Sequence, residues 1–328
     1  MPLIECEQLT KVYRTNIKQA GLKGTFRNLF HAEFKEKTAC DAISFSMEAG
    51  QSLACIGENG AGKSTLIKMM VGILSPTAGQ VRVYGQNPMK RHTDYLRKIG
   101  VIFGQKTNLW WDIPVIESYN AIQVLYKLDS GAFKKTMDMV VDYLNLAPIL
   151  NSPARKLSLG QRMRADMGMV FLHQPRILFL DEPTIGLDIN VKYSIREFLR
   201  RMNEDHGVSI FLTSHDLADI NQICKDALVL SNGKVFYQGN LDVLKHQYAR
   251  RKVVTIAGRV IGDISLMLPL ADVLREGQKT IITYDTRAYT SDTLLQTVSK
   301  CFEVDDISIE EPGIDYVVSE IFKQGVQT

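Results

Sequence analysis

The sequence predicts an α/β fold: a core parallel sheet flanked by helices, an antiparallel β portion built from the first strands, and a small C-terminal α+β domain. Three observations predict it. Short, almost wholly apolar runs at 52–56 (SLACI), 99–103 (IGVIF), 177–180 (ILFL) and 208–213 (VSIFLT) alternate with segments of helical period, the pattern of strands buried on both faces. A glycine-rich stretch at 57–65 (GENGAGKST) joins the first of these runs to the helix formers Leu66, Ile67, Lys68, Met69 and Met70. Past the basic run KHQYARRK at 245–252, strand and helix patterns continue on a shorter scale.

Taken in order, residues 3–9 alternate weakly and read as a first strand, followed by Lys11, Val12 and Tyr13. Residues 42–47 (AISFSM) and 52–56 are two further strands joined through Glu48-Ala49-Gly50. The segment 14–38 between them is longer than a hairpin needs. It carries Arg14, Lys18, Lys23, Arg27, Lys35 and Lys37 against Glu33 and Glu36. Phe26, Leu29, Phe30 and Phe34 fall on one face of a short helix. Such a basic amphipathic insertion either folds onto its own domain or lies against a membrane surface or a membrane partner.

After the glycine stretch, 75–79 (SPTAG) is a turn and 80–84 (QVRVY) a strand. Val115, Tyr119, Ile122 and Tyr126 mark one helical face, and Met137, Val140, Val141 and Leu144 mark the next. Met163, Met167, Val170 and Phe171 mark a helix following LSLGQ at 157–161, and Val191, Ile195, Phe198, Leu199 and Met202 mark another. Asn232-Gly233 between ALVLS and KVFYQ signals a hairpin. The domain boundary is expected near 244. Beyond it come strand 253–257, helix 263–275, strand 279–284, helix 291–300, strand 302–309 and helix 313–323, with charged residues that read as solvated faces.

Composition narrows the classes. A net charge of +3 asks for no polyanionic partner, and no apolar run approaches the roughly 18 residues of a membrane span. The start, MPLIECEQLTK, places acids where a signal peptide needs an apolar core, so the expectation is a protein kept in the cytosol. Cys6, Cys40, Cys55, Cys224 and Cys301 show no metal spacing and read as reduced, buried small hydrophobes.

The chemistry concentrates in two places. In residues 57–65, Gly57, Gly60 and Gly62 let the backbone turn its N–H groups inward, with Glu58, Asn59 and Ala61 between them, and a helix N-terminus adds partial positive charge. Lys63 can reach the β- and γ-phosphates of a nucleotide, the Ser64 hydroxyl can ligate Mg²⁺, and Thr65 completes the stretch. The second place is Asp181-Glu182, at the end of an apolar strand, where ligands bind in such sheets. Asp181 is placed to hold Mg²⁺, and Glu182 to polarise the water that attacks the γ-phosphate.

GENGAGKST, LSLGQ, LFLDEP, GLD and LTSHD follow one another in the order of an ABC-type ATPase domain, and the chain resembles that family over about residues 3–240. The resemblance implies a RecA-like core, an antiparallel β subdomain and a helical subdomain at about 106–170. It implies that ATP and Mg²⁺ are bound at 57–65, with Tyr13 stacked on adenine. Gln105 touches Mg²⁺ and the attacking water, Asp181 holds the metal, Glu182 is the general base and His215 contacts the γ-phosphate. Asp188 links the halves of a dimer, and Ser158, Gly160 and Gln161 meet the ATP held by the other subunit. The family's usual LSGGQ has Leu159 at its third position here, a residue tolerated if its side chain faces its own domain. With one cassette per chain, a two-fold homodimer is the simplest way to two complete sites.

The resemblance further implies an engine at the cytoplasmic face of the membrane, peripheral, driving separate transmembrane permease subunits. The GQKTNLWWDIP stretch with Trp110 and Trp111, the basic insertion and LSLGQRMRAD are similar to bacterial cassettes serving ABC-2-type permeases. The DISIEEPGIDYVVSEIF end is similar to drug-export cassettes of the daunorubicin-resistance type. Polysaccharide or teichoic-acid export is the alternative within transport. A soluble ABC ATPase working on nucleic acid or ribosomes is the alternative outside it. No coiled-coil insertion, zinc spacing or strongly basic groove supports the latter, and no nucleic-acid partner is expected.

Overall fold

The computed structural model describes residues 2–16, 34–104, 106–248, 251–277 and 279–310. The chain divides into two units, Met1–Leu241 and Asp242–Thr328.

In the first unit, β1 (Ile4–Asn16) pairs antiparallel with β2 (Phe34–Met47) and with β4 (Ala78–Val83). A six-stranded sheet has the order β5-β6-β7-β3-β8-β9, formed by β3 (Ser52–Gly57), β5 (Ile99–Phe103), β6 (Ile177–Asp181), β7 (Ser209–Thr213), β8 (Asp226–Ser231) and β9 (Lys234–Asn240). All its pairings are parallel except β8 with β9. Every residue of β3 and β7 is buried, because helices and the second sheet cover both faces. The β8–β9 hairpin turns on Asn232 and Gly233, with φ of 49° and 79°, the two positive values a type I′ turn demands.

Helix α1 (Lys63–Met70) packs against β2, β3, β4 and β6. Its Leu66, Ile67, Met69 and Met70 are fully buried, each contributing about 1.5–3 kcal/mol of burial free energy. Phe45 of β2 and Phe179 of β6 each pack on Phe211 of β7, with ring centroids 6.1 Å apart, which joins the two sheets in one core. A single turn, α2 (Thr93–Leu96), buries Tyr95. The helical portion comprises α3 (Val115–Tyr126), α4 (Ser130–Tyr143) and α5 (Leu159–Phe171). Tyr119 of α3 is fully buried, and its hydroxyl donates to the Ala165 carbonyl of α5 at 2.7 Å, which clamps the two helices. Helices α6 (Ile189–Glu204) and α7 (Leu217–Ile223) complete the unit.

Two expectations need correction. Residues 14–16 and 34–38 are not part of an excursion but continue the β1–β2 hairpin: Tyr13 opposes Lys37, and Arg14 opposes Glu36 with an ion pair at 2.7 Å. Phe34 is therefore an exposed strand residue opposite Asn16, not a member of a helical face. Lys18, Lys23, Phe26, Arg27, Leu29, Phe30 and Glu33 lie outside the described residues.

The second unit begins within α8 (Leu241–Tyr248) and holds β10 (Arg251–Val260), α9 (Ile264–Met267), β11 (Asp272–Glu276), β12 (Lys279–Asp285), α10 (Ser291–Cys301) and β13 (Phe302–Glu310). Its sheet has the antiparallel order β11-β12-β10-β13. Val254, Ile256, Ile282 and Tyr284 of the sheet pack with Leu294 and Val298 of α10. Here the second correction falls. The helix expected at 263–275 is one turn, because Pro269 cannot continue it, and Asp272–Glu276 instead forms an edge strand on β12. The helix expected at 313–323 lies outside the described residues. All five cysteines are buried and unbridged.

Candidate functional site

The C-terminal ends of β3, β6 and β7 lie side by side at one sheet edge, where ligand sites open in parallel sheets. From β3 the chain turns through Glu58–Ala61, with the Ala61 N–H donating to the Glu58 carbonyl at 3.1 Å, into α1. Gly62 enters that helix at φ 102°, and a Cβ there would stand 2.2 Å from the Ala39 carbonyl oxygen of β2, so only glycine fits. Lys63 is buried, and its Nζ donates to the Gly57 and Glu58 carbonyls at 2.6 and 3.1 Å. Burial pushes the Lys63 ammonium below the ordinary lysine range, and the neighbouring Cys55, Glu182 and Asp181 oppose that shift. The ammonium is thus held inside its own loop with negative groups close by.

Asp181 ends β6. Its Oδ1 accepts from the Ser64 hydroxyl at 3.0 Å and from the Thr213 hydroxyl of β7 at 2.7 Å. Glu182 has φ 53°, a left-handed conformation uncommon for a side-chain-bearing residue, and its N–H donates to the Thr213 carbonyl at 3.0 Å. This turn carries the Glu182 carboxylate out of the strand line to His215, whose Nε2 lies 2.8 Å from Oε1. Since a carboxylate only accepts, the imidazole carries its proton on Nε2. Gly104 packs on the same turn: a Cβ there would meet the Glu182 carbonyl at 2.1 Å. Tyr13, half-exposed, reaches the loop from β1, with its hydroxyl 3.3 Å from the Thr65 hydroxyl. A cavity of about 550 Å³ opens here, lined among others by Asn59, Ser64, Asp181, Glu182 and His215. Ser64 and Asp181 already share a hydrogen bond, and these hydroxyl and carboxylate oxygens are the hard donors that Mg²⁺ takes. Gln105 lies outside the described residues.

Behind the site stands a polar network that sequence reasoning missed. Asp219 of α7 is fully buried and accepts from Thr184, from Ser214 at 2.7 Å and from the Arg196 Nε of α6 at 2.6 Å. Arg196 and Lys192 also donate to Asp216, at 3.0 and 2.6 Å. Asp219 therefore fastens the residue two after Glu182 to the residue before His215. Thr213, which holds both Asp181 and the Glu182 backbone, was missed too. Its place two positions before His215 was the available signal.

Ser158, Gly160, Gln161 and Asp188 form a separate group, and none of them lines that cavity. Ser158 caps α5: its hydroxyl accepts from the Gln161 N–H at 3.2 Å, and the Gln161 side chain accepts from the Ser158 N–H at 3.0 Å. Gly160 is pressed on Val191, and Asp188 caps α6 through the N–H groups of Asn190 and Val191. Leu159 is 45% exposed and leans toward Gly186, so its side chain faces its own chain's loop without straining the helix start.

Comparison with known proteins agrees with the fold. The ABC transporter family profile matches residues 40–185. The Nod factor export ATP-binding protein I of Ralstonia nicotianae is 30% identical over 253 residues, covering 76% of this chain and 78% of the relative. The bacitracin transport ATP-binding protein BcrA of Bacillus licheniformis is 29% identical over 213 residues, covering 65% and 68%. Among solved structures, an ATP-binding subunit of an ABC transporter superposes with a TM-score of 0.62 at 26% identity, covering 75% of this chain and 93% of that one. The chain belongs to the ABC transporter ATP-binding proteins.

Proposed function

We propose that this chain binds Mg²⁺–ATP at residues 57–65 and hydrolyses it as one half of a dimer that drives an ABC-2-type export permease. The observation that carries the reading is the convergence of Lys63, Ser64, Asp181, Glu182 and His215 on one sheet edge. Lys63 leaves its own carbonyls for the phosphates, with no new desolvation because it is already buried. Ser64 and Asp181 hold Mg²⁺, with Gln105 as a third contact; the ion, when bound, offsets charge on the phosphate oxygens. Glu182 accepts the proton of the attacking water, and His215 fixes that carboxylate through Nε2 and lines the same cavity, where it would meet the γ-phosphate. Tyr13 offers its ring to adenine.

Dimerisation is supported by the exposed group at the start of α5. Ser158 faces solvent at a capped helix N-terminus, and around it Leu159, Ile185, Ile189 and Tyr193 expose apolar side chains next to Asp188. A permease partner is supported by an apolar groove of about 610 Å³ between core and helical portions, lined by Ile73, Leu96, Tyr126, Val170 and His173. Trp110 and Trp111 stand exposed on the segment after residue 105. Among the described residues no helix is long and apolar enough to cross a membrane, so membrane attachment runs through that partner. Export is favoured by relatives named for Nod factor export and bacitracin transport. Purification from solubilised membranes tests the whole reading: a co-purifying permease is expected, and recovery with ribosomes alone would overturn it.

A further inference from the structure

Helix α5 carries one acid on its buried side, Asp166, and the proposed chemistry does not use it. Its Oδ1 accepts the Asn108 N–H at 2.7 Å, and beside it the Leu109 N–H donates to the Thr107 hydroxyl at 3.2 Å. One turn earlier on the helix, the Arg162 guanidinium stacks 4.7 Å from the Trp111 ring centroid. Its Nε is buried beneath that contact with no hydrogen-bond partner among the described residues. Just before the helix, the Arg155 N–H donates to the Trp111 carbonyl at 3.0 Å, and its guanidinium pairs with Asp112 at 2.8 Å. The segment 107–112 is thus fastened at four points to 155–166. Toward the parallel sheet, the Asn108 side chain donates to the Val101 carbonyl at 3.3 Å.

We propose that Asp166 is a positioning residue that makes segment 107–112 and the N-terminus of α5 one mechanical piece, so that a shift of residues 107–109 sets where Ser158 and Gly160 meet the ATP of a second subunit. This rests on the dimeric ATPase reading above. The carboxylate suits the task because its bond goes to a backbone N–H, that of Asn108, so it grips the chain itself. Burial pushes its carboxyl up to about 6, so the ionised acid at neutral pH is a stability cost that its donors only partly offset.

The experiment uses the full chain in a Trp110→Phe background, where Trp111 is the one remaining tryptophan. Nucleotide affinity, steady-state ATP turnover and Trp111 emission on adding Mg²⁺–ATP are compared for that parent, Asp166→Asn and Asp166→Ala. The expected result is a KM within about twofold of the parent, kcat lowered about tenfold in the Ala variant and about threefold in the Asn variant. The nucleotide-induced emission change is expected to be lost in the Ala variant and reduced in the Asn variant. The Asn variant keeps an acceptor and the side-chain volume, and it carries the test alone should the Ala variant not fold. Unchanged kcat with an intact emission change would reduce Asp166 to helix packing, and a parent whose Trp111 ignores ATP would equally overturn the proposal. A parent chain that hydrolyses no ATP would overturn the dimeric ATPase reading and this inference with it.

Discussion

The two ends of the candidate site differ in how far they are completed within one chain. At the phosphate loop the ionisable and hydroxyl side chains already have partners: Lys63 sits on the Gly57 and Glu58 carbonyls, Ser64 and Thr213 sit on Asp181, and His215 sits on Glu182. At the start of α5 the internal hydrogen bonds serve only to cap a helix, and Ser158 faces solvent. In the first region these side chains are oriented by their own chain before any ligand arrives. The second is an exposed anion-seeking helix start without an anion from its own chain. Under the dimeric reading proposed above, the contrast means that folding finishes one half of the chemistry and leaves the other half to association.

The comparison can be broken hardest at Glu182. Replacing it with Gln keeps the size and the His215 neighbour but removes the proton acceptor, so turnover should fall by about 10²–10⁴-fold while nucleotide still binds. Phosphate release measured at saturating ATP checks this, and undiminished release would remove Glu182 from the chemistry. Next in size is the network behind the site. Arg196→Met leaves Asp219 buried without its cationic partner and should cost about 3–5 kcal/mol in chemical denaturation, since an unpaired buried charge is far dearer than a pair.

At the other region the effects are smaller and more telling. The Asp166 carboxyl, raised to about 6, binds protons in the folded state at pH values where the unfolded chain has lost them. Its contribution to stability is therefore most favourable below the ordinary carboxylate range and is lost as pH rises toward and through 6. Relative to Asp166→Asn, the unsubstituted chain should gain about 2 kcal/mol between pH 7 and pH 4, read from paired denaturation curves. Smallest is the cap itself. Ser158→Ala should cost about 1 kcal/mol of stability, whereas Ser158→Asp retains a capping acceptor and should be near neutral.

Much of this was legible in the residues. The apolar runs at 52–56, 99–103, 177–180 and 208–213 became strands of the parallel sheet, because burial on both faces leaves no other use for such runs. The glycine loop and Asp181-Glu182 came together for the same topological reason, since both end strands of one sheet. What stayed hidden depends on partners distant in sequence. Asp219 looks like a surface acid on a short helix, and only the packing of α6 on α7 shows that Arg196 and Thr184 bury it. Asp166 is hidden likewise, because its donors come from a loop 58 positions earlier. Asp272–Glu276 carries helix-compatible residues and became a strand through pairing with β12, a tertiary preference that outweighs local propensity. Phe34 misled for a related reason: its apparent helical spacing was overridden by the register of a hairpin that runs on to Asn16.

The central claim, that one chain's phosphate loop is completed by another chain's α5 start, is tested most directly by complementation. Lys63→Ala disables the loop, and Ser158→Asp keeps the helix cap while placing a negative charge where the phosphate should come. Each purified variant should hydrolyse almost no ATP by itself. Mixed in equal amounts, they should recover about a quarter of the unsubstituted rate, because half the pairs form between variants and each such pair holds one intact composite site. A mixture as inactive as its components, or a Ser158→Asp chain that hydrolyses ATP at full rate alone, would contradict the account.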